Sequence, residues 1–357
     1  MEGADYTLTI RMTRPPSRIL LLKPSALGDV CRTMPVLASL RAAFPDARID
    51  WFVQDDFVDA VRAHPAVGEV IAFPRREWRR WWGPAAIAGV RGLRRRIRET
   101  GYDLAFDLQG LVRSAVFLQA TGRDTRRVGW RDARECAWLA ANERHARRGG
   151  PDATETMLAL LEDAGVPPIR EPRMFVPPEA AAAWSARRNA AGLDGEFVAL
   201  APTSRWPAKR WPAERWRALA ERLVARGARV AMLGAPSERE QVRTCMPREG
   251  AVDLCGALPL GEWLAALSTA SAVVANDSAA THAAVGFGRP LVAIYGATDP
   301  AAVGPFGRPE SVVAPPGVAP SDPHAYRDPR LVQRMELVGV DAVARRLDEE
   351  RARGPRW

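Results

Sequence analysis

The apolar residues of this chain fall in short continuous runs, separated by polar loops and by segments with helical spacing. Residues 19–22 are four apolar residues without alternation, which is typical of a strand buried on both faces. Pro24, Ser25 and Gly28 then interrupt the chain, and apolar residues at helical spacing follow from Met34. This order places the loop at the carboxyl end of a strand, where doubly wound α/β folds bind ligands.

The same order of strand, loop and helix recurs through the first half of the chain. Further strands are predicted at residues 47–53, 69–73 and 102–108, and helices at residues 55–63, 85–100 and 154–164. Residues 123–134 are predicted to be an arginine-dense loop. Alternation of strands and helices predicts a parallel sheet.

A proline cluster at residues 167–178 is predicted to be a linker, and the pattern then starts again. Strands are predicted at residues 197–201, 229–233, 272–275 and 291–295, and helices at residues 212–226, 264–270 and 331–346. One more helix should begin at Asp277 or Ser278. The sequence therefore predicts two α/β halves.

Polar residues that could carry chemistry lie in the loops that follow these strands. Lys23 and Asp29 follow the first strand, and Lys209 follows the strand at residues 197–201. An acid such as Asp29 at a strand end can be a general base, or it can merely cap the next helix. The N–H groups opened beyond Asp277 or Ser278, with the helix dipole, would hold an anion.

Lysine usage favours a special role for two of these positions. The chain has 51 basic residues, and only Lys23 and Lys209 are lysines. Lysine is a compact point charge, whereas arginine is a planar fork. A site that needs a small cation near phosphate could not exchange one for the other.

Composition bounds the class of protein and its partners. A length of 357 residues allows two domains, and 47% hydrophobic with 26% charged residues indicates a globular, soluble protein without a membrane span or signal peptide. Four scattered cysteines without a CxxC pair indicate a reducing cytoplasm and no structural zinc. Residues 68–150 hold 18 Arg against 9 Asp plus Glu, so this segment carries the whole net charge of +9. The excess favours an anionic partner there, or else a solvated arginine-rich face.

Four arginines interleave with three tryptophans at residues 75–82 of this segment. The arginines are Arg75, Arg76, Arg79 and Arg80. They could bind phosphates while the tryptophans meet a membrane interface or sugar rings. The alternative is a helix with tryptophan inward and arginine outward.

Several classes of protein lack support in the motifs. No G-x-G-x-x-G or P-loop signature is present, which argues against a nicotinamide oxidoreductase or a P-loop enzyme. No Asp-x-Asp occurs, the usual pattern of metal-dependent sugar-nucleotide binding. A sequence pI of about 10.2 with interleaved Arg and Trp leaves a nucleic-acid-binding protein as an alternative, but that class does not explain the loop sites in both halves.

Taken together, these loops resemble glycosyltransferase family 9, and within it the heptosyltransferases of the lipopolysaccharide inner core. The resembling motifs are Lys-Pro-Ser-Ala-Leu-Gly-Asp-Val at residues 23–30, Lys-Arg-Trp-Pro at 209–212, Glu238 after Gly234, and Asp-Ser-Ala-Ala-Thr-His at 277–282. Residues 107–115 and 132–135 are also similar to that family. Ala279 stands where the family usually has glycine, and the loop from Thr203 to Lys209 is about one residue longer than in its relatives.

The resemblance implies a GT-B fold, two Rossmann-like domains facing across a cleft. Residues 1–172 would bind the acceptor and residues 173–357 the ADP-sugar, with a last helix that can pack back on the N-terminal domain. It implies Asp29 as catalytic base and Lys209 as the residue that stabilises the leaving ADP. The implied donor-binding residues are Thr203, Ser204, Lys209, Glu238, Asp277, Ser278, Ala279 and His282. The acceptor-binding residues expected in the basic half are Ser25, Gly28, Arg75, Arg76, Arg79, Arg113 and Arg134.

The implied reaction is transfer of heptose from ADP-heptose to a Kdo (3-deoxy-manno-octulosonate) hydroxyl of Kdo-lipid A, with inversion. ADP-heptose would be a co-substrate, with neither a cofactor nor a metal. The acidic lipid acceptor would be met at the inner face of the inner membrane by a cytoplasmic protein that binds no nucleic acid. A family 9 transferase for another sugar or acceptor, a later core heptose or a protein, is the alternative within the family.

Overall fold

The computed structural model describes residues 14–79, 83–317 and 325–357. It divides into two compact units, the first formed by the described residues up to Gly150 with Thr154–Glu171, and the second by Pro151–Ala153 with Pro172–Trp357. The proline cluster spans the change from the first unit to the second. Arg80, Trp81 and Trp82 of the basic segment lie outside the described residues, as does the side chain of Arg79.

The first unit is built on a six-stranded sheet in which all strand pairs are parallel. Its strands, which lie in the order β3-β2-β1-β4-β5-β6, are β1 Arg18–Leu22, β2 Arg48–Gln54, β3 Glu69–Phe73, β4 Leu104–Asp107, β5 Arg126–Trp130 and β6 Glu143–His145. Its helices are α1 Leu27–Cys31, α2 Met34–Ala43, α3 Pro84–Thr100, α4 Val112–Ala120 and α5 Ala153–Asp163. The side chains of Ile19 to Leu22 are all fully buried. The continuous apolar run therefore has the buried position that its lack of alternation predicts.

The second unit repeats this plan with another six-stranded parallel sheet. Its strands, in the order β12-β11-β10-β7-β8-β9, are β7 Phe197–Ala201, β8 Arg229–Met232, β9 Ala251–Asp253, β10 Ala272–Asn276, β11 Leu291–Ile294 and β12 Val312–Val313. Its helices are α6 Pro178–Ala190, α7 Ala213–Ala225, α8 Arg239–Cys245, α9 Leu260–Thr269, α10 Ala279–Gly286, α11 Pro300–Val303, α12 Val332–Glu336 and α13 Val340–Arg353. The prediction of two α/β halves with parallel sheets is confirmed.

The strand order puts one reversal point in each sheet. In the first sheet the chain leaves β1 for β2 on one side and reaches β4 on the other, and in the second sheet β7 is flanked by β8 and β10. The loops after β1 and β4, and after β7 and β10, therefore lie at the crevices where such sheets bind ligands.

The prediction of an arginine-dense loop at residues 123–134 is wrong, because residues 126–130 form strand β5. Val128 and Trp130 are buried as strand residues. The guanidinium of Arg126 pairs with Glu143 on the neighbouring β6, with N–O distances of 2.6 and 2.8 Å. This ion pair between neighbouring strands neutralises the Arg126 guanidinium, which the sequence pattern predicted to lie in a solvated loop.

Two predicted helices also differ from the structure. Residues 55–63 form a short 3-10 helix, Asp55–Ala60, instead of an α-helix. The helix predicted at residues 331–346 is divided into α12 and α13, because the backbone of Gly339, the N-cap of α13, is extended. The Val338 carbonyl just before this break accepts the Trp211 indole N–H at 2.8 Å. The final helix α13 packs on α7, β10 and β11 of the second unit.

Candidate functional site

The loop after β1 holds Lys23, Ser25, Gly28 and Asp29. Lys23 is buried, and its ammonium donates to the Leu108 carbonyl at 2.9 Å. Burial lowers the pKa of Lys23, although the charges of Asp29 and Asp107 oppose this shift. Lys23 therefore ties the loop after β1 to the loop after β4, a structural role that the lysine-usage argument did not foresee.

Asp29 is the third residue of the short helix α1, and its side chain is half-buried. Its Oδ2 accepts a long 3.4 Å hydrogen bond from the Ala26 N–H, which lies just before the helix. The capping contact proposed as the alternative is thus present but weak, since 3.4 Å exceeds the normal range. Such a contact leaves the carboxylate with hydrogen-bond acceptor capacity for a ligand.

Ser25 and Gly28 belong to the same loop as Asp29. Ser25 is buried, and its N–H donates to Gln109 Oε1 at 3.3 Å across to the loop after β4. Gly28 lies half-buried in the first turn of α1. Both predicted acceptor-binding residues therefore lie in the same loop as Asp29, at one edge of the first sheet.

Asp107, at the end of β4 on the same sheet edge, has no role predicted from the sequence. Its carboxylate accepts hydrogen bonds from the Gln109 and Gly110 N–H groups at 2.9 and 3.1 Å and from Ser114 Oγ at 2.9 Å. Burial raises the pKa of Asp107, and these hydrogen bonds oppose the rise. The contacts order the turn that leads into α4. An Asp at a strand end, two and three residues before the N–H groups that donate to it, is the sequence signal for such a turn.

The basic segment divides into inward tryptophan and outward arginine where it can be described. The Trp78 ring packs edge-on against Phe73 with ring centroids 5.4 Å apart, and a Cβ at Gly89 would lie 2.3 Å from the Trp78 ring. Arg76 is 83% exposed and lies 3.1 Å from Asp56. For Trp78 the structural alternative is therefore correct, while Arg76 keeps most of its side chain exposed to a ligand.

Arg75 and Arg113 are brought into electrostatic contact. Arg113 is half-buried, and its pKa is lowered by burial and by the positive charge of Arg75, against the opposing charge of Glu135. Arg75 also reaches Gln54 Oε1 at 3.3 Å. Two guanidinium groups that raise each other's electrostatic energy form a place where an anion would be stabilised.

Arg134 joins the same region through its backbone. Its N–H donates to the Gly110 carbonyl at 3.1 Å, in the turn that precedes Arg113, and its side chain is exposed. Glu135 beside it accepts the Val112 N–H at 3.1 Å. The first unit thus collects Arg75, Arg113 and Arg134 around the loops at the carboxyl ends of its strands.

Lys209 is the central cation of the second unit. It ends a short 3-10 helix, Pro207–Lys209, in the loop after β7, and its side chain is 14% exposed. Its ammonium lies 2.6 Å from Oδ2 of Asp277, the residue that follows β10. Thr298 Oγ1 donates to the same oxygen at 2.6 Å. The predicted donor residues Lys209 and Asp277 are therefore in direct contact.

Ser278 is the N-cap of α10, as the sequence predicted for Asp277 or Ser278. Its backbone is extended, and its side chain makes no capping hydrogen bond. Ala279 begins the helix in a half-buried position, and His282 is buried in the first turn. The uncapped N-terminus leaves N–H groups and the positive end of the helix dipole beside Asp277, where they can stabilise an anion.

Thr203, Ser204 and Glu238 lie at the same edge of the second sheet. Thr203 and Ser204 are buried, and the Ser204 N–H donates to Gln241 Oε1 at 3.3 Å. Glu238 is half-buried in the loop after β8, and its Oε2 accepts the Ala235 N–H at 2.8 Å. The turn itself therefore orients the Glu238 carboxylate.

Asn276 is a site residue that the sequence argument missed. It is fully buried at the end of β10, where its amide donates to the Pro202 carbonyl at 2.6 Å and accepts the Trp211 N–H at 3.2 Å. These bonds hold both ends of the Lys209 loop next to Asp277. The only signal in the sequence is a polar residue that ends an apolar run.

The described residues contain neither a metal-binding cluster nor a membrane-spanning helix. No group of three or more His, Cys, Asp or Glu side chains that could hold a metal ion occurs within residues 14–79, 83–317 and 325–357. In the same part of the chain, no helix combines the length and the apolar character needed to cross a bilayer.

Comparison with known proteins gives consistent matches. Residues 90–318 match the sequence model of glycosyltransferase family 9 (heptosyltransferase). Lipopolysaccharide heptosyltransferase 1 of Pseudomonas aeruginosa is 32% identical over 82% of this chain and 82% of its own length. The structure of Escherichia coli heptosyltransferase WaaC with ADP superposes with a TM-score of 0.74 at 26% identity, covering 93% of this chain and 99% of that chain.

A second solved structure, E. coli ADP-heptose lps heptosyltransferase II, shares the fold with a TM-score of 0.77. It is 23% identical and covers 94% of this chain and 99% of that chain. These similarities, with two six-stranded parallel sheets, confirm the predicted GT-B fold class and the resemblance on which it was based.

Proposed function

Because the chain belongs to glycosyltransferase family 9 (heptosyltransferase), we propose that it transfers heptose from ADP-heptose to a Kdo hydroxyl of Kdo-lipid A, with inversion. The observation that carries the proposal is the pairing of Lys209 with Asp277 at the uncapped N-terminus of α10. A compact cation and a helix N-terminus at the reversal point of a parallel sheet suit a diphosphate.

The second unit is proposed to bind the donor. As the sugar C–O bond breaks, negative charge develops on the leaving ADP, and Lys209 with the N–H groups of α10 would stabilise it. Glu238 would accept hydrogen bonds from ribose hydroxyls, and Thr203 and Ser204 would line the phosphate site. The similarity to a WaaC structure solved with ADP supports a nucleotide as ligand of this chain.

The first unit is proposed to bind the acceptor. Asp29 would remove the proton of the attacking Kdo hydroxyl as the new bond forms, with Ser25 and Gly28 shaping the approach to it. Half-burial at the end of β1, with one weak hydrogen bond, supports this role because the carboxylate can still accept a hydrogen bond from the attacking hydroxyl. The boundary between acceptor and donor parts is proposed near residue 172.

The arginines of the first unit are proposed to bind the phosphates and carboxylates of the acceptor. Burial and the positive charge of Arg75 lower the pKa of Arg113, and an acceptor anion between the two guanidinium groups would be stabilised by both charges. Arg76, Arg79 and Arg134 would extend this basic surface. An acidic lipid acceptor implies that the protein works at the inner face of the inner membrane as a peripheral cytoplasmic enzyme.

The proposed reaction uses no metal. The charge on the leaving diphosphate is assigned to Lys209 and to the helix N-terminus, which are the groups the site offers for this purpose.

Mass spectrometry of the product tests the proposal. Purified protein should convert ADP-heptose and Kdo-lipid A to heptosyl-Kdo-lipid A. Parallel reactions should contain a Kdo-lipid A acceptor that already carries its first heptose, or ADP-glucose as donor. Product only on the preformed heptosyl acceptor would indicate a transferase for a later core heptose, and transfer only from another ADP-sugar would replace heptose in the proposal.

A further inference from the structure

Tyr326 lies against the cation that the proposed function assigns to the donor diphosphate. The Lys209 ammonium is 4.7 Å from the centroid of the Tyr326 ring, within the range of a cation–π interaction. The Tyr326 ring also packs on Trp206, with centroids 4.9 Å apart. The Arg327 guanidinium lies 5.6 Å from the Trp206 ring. An aromatic and basic cluster therefore covers the loop that carries Lys209.

The segment that bears Tyr326 is anchored at further points of the same sheet edge. Arg334 Nε donates to the Gly296 carbonyl at 2.9 Å, in the loop after β11. Met335 is fully buried against Gly296, where a Cβ would lie 2.4 Å from the Met335 sulfur. The Trp211 indole N–H donates a hydrogen bond to the Val338 carbonyl, a third contact of this segment. These anchors hold the C-terminal end of the segment, while the Tyr326 ring itself packs on Trp206 and Lys209.

Lys209 consequently has two partners with different electrostatic character. Asp277 accepts one of its three N–H groups at 2.6 Å, and the Tyr326 ring lies against the ammonium at 4.7 Å. An aromatic face attracts a cation without adding a net negative charge. A second carboxylate in its place would repel an incoming diphosphate. Together the two contacts orient Lys209, and they leave N–H groups of its ammonium that can donate hydrogen bonds to a phosphate oxygen.

We propose that Tyr326 is a positioning residue for Lys209, and that its ring strengthens binding of the nucleoside diphosphate. The inference rests on the proposed donor role of Lys209. Fixing a flexible lysine before the ligand arrives reduces the entropy lost on binding. An aliphatic side chain of similar bulk should not substitute for the ring, because the attraction arises from the electron-rich face of the ring.

The presence of two lysines in the chain makes the contact directly measurable without nucleotide. In protein labelled with 13C-lysine, the Hε–Cε signal of Lys209 should be shifted upfield by the Tyr326 ring current, with Lys209→Arg identifying the signal. The shift should remain in Tyr326→Phe and disappear in Tyr326→Leu. Lys23, which is held by the Leu108 carbonyl in the first unit, is the internal control. A Lys209 signal that is unchanged in Tyr326→Leu would overturn the contact.

Calorimetric titration with ADP measures the consequence. Tyr326→Leu should weaken ADP binding about 3- to 20-fold, and Tyr326→Phe should stay within about 2-fold of wild type. Combined with Lys209→Ala, Tyr326→Leu should have almost no additional effect. The positioning role would be overturned if Tyr326→Leu lowered ADP affinity equally in wild type and in Lys209→Ala. It would also be overturned if the Tyr326→Leu protein folded normally and bound ADP as wild type does.

These measurements also separate this inference from the proposed function. A wild-type protein that shows the ring-current shift but binds no ADP would refute the donor site, and with it any role of Tyr326 in nucleotide binding. A protein that binds ADP but shows no ring-current shift would keep the proposed function and refute the inference. Melting temperatures of the variants show whether a loss of binding reflects unfolding.

Discussion

The Lys209 ammonium and the Asp277 carboxylate are 2.6 Å apart, and both side chains are largely buried. Each residue comes from a different loop, one after β7 and one after β10, and Asn276 bonds these two loops together. An incoming diphosphate must therefore bind a lysine that is already paired. The affinity of the diphosphate depends on whether it displaces the Asp277 carboxylate from Lys209 or binds Lys209 alongside it.

Lys209→Ala should weaken ADP binding about 10- to 100-fold, since it removes a charge-assisted hydrogen bond. Lys209→Arg should restore binding only in part, because the planar fork cannot occupy the position of a compact ammonium between Asp277 and the Tyr326 ring. ADP titration and initial rates measure both effects. An arginine variant with wild-type affinity and rate would show that charge alone suffices, contrary to the argument from lysine usage.

Asp29→Ala should lower kcat about 10²- to 10⁴-fold while ADP still binds, because the carboxylate acts on the acceptor proton. Asp46→Ala is the matched control, since Asp46 is an exposed carboxylate of the same unit. Turnover and ADP affinity should be measured on the same preparations. Near-normal turnover in the Asp29 variant would remove this residue from the mechanism and leave only its helix-capping contact.

Removing Arg75 and Arg76 together should raise the acceptor KM about tenfold or more, since each well-placed charge-assisted bond is worth about 1.5–3 kcal/mol. The KM for ADP-heptose should hardly change. Arg95 and Arg98 are exposed on α3 and supply a control double variant with the same loss of charge.

The same pair of variants should be compared on an acceptor without phosphates. The defect of the Arg75 and Arg76 variant should shrink there, because the lost partners are absent for both enzymes. An equal defect on both acceptors, or an increase in the donor KM, would favour the solvated arginine-rich face.

EDTA should leave the transfer rate largely unchanged, because the proposed reaction assigns the diphosphate charge to protein groups. The rate should be measured in enzyme dialysed against EDTA and then supplied with Mg²⁺ or Mn²⁺. A loss of activity that only a divalent ion restores would contradict a metal-free reaction.

His64 should make the fold sensitive to mild acid. Burial and the charge of Arg41 lower the pKa of His64 to about 4 from its ordinary 6.5, while its Nδ1 accepts the Ala66 N–H at 3.1 Å. Between pH 6.5 and 4 the unfolded chain binds a proton that the folded protein does not, so stability should fall as the pH falls through this window. His64→Asn offers an acceptor without that proton, and its melting temperature should decline less over the same range. Parallel declines in both proteins would exclude His64 as the cause.

The sequence alone determined the alternation of strands and helices, because continuous apolar runs and prolines act locally. β3 and β7 have the bounds that their apolar runs predict. It also located Asp29, Lys209 and Ser278 in loops at strand ends, since a buried strand must return to polar residues where it meets water. The motifs in those loops identified the glycosyltransferase family.

Only the tertiary structure decided what each charged side chain contacts. Arg126 lies in a strand because Glu143 on β6 neutralises it, which no local pattern reveals. Lys23 is buried against the Leu108 carbonyl, whereas Lys209 pairs with Asp277 and the Tyr326 ring, although both lysines follow similar strands. The contacts of the two lysines depend on residues 68 to 117 positions away in sequence, and so their electrostatic consequences emerge only when the sheets bring distant loops together.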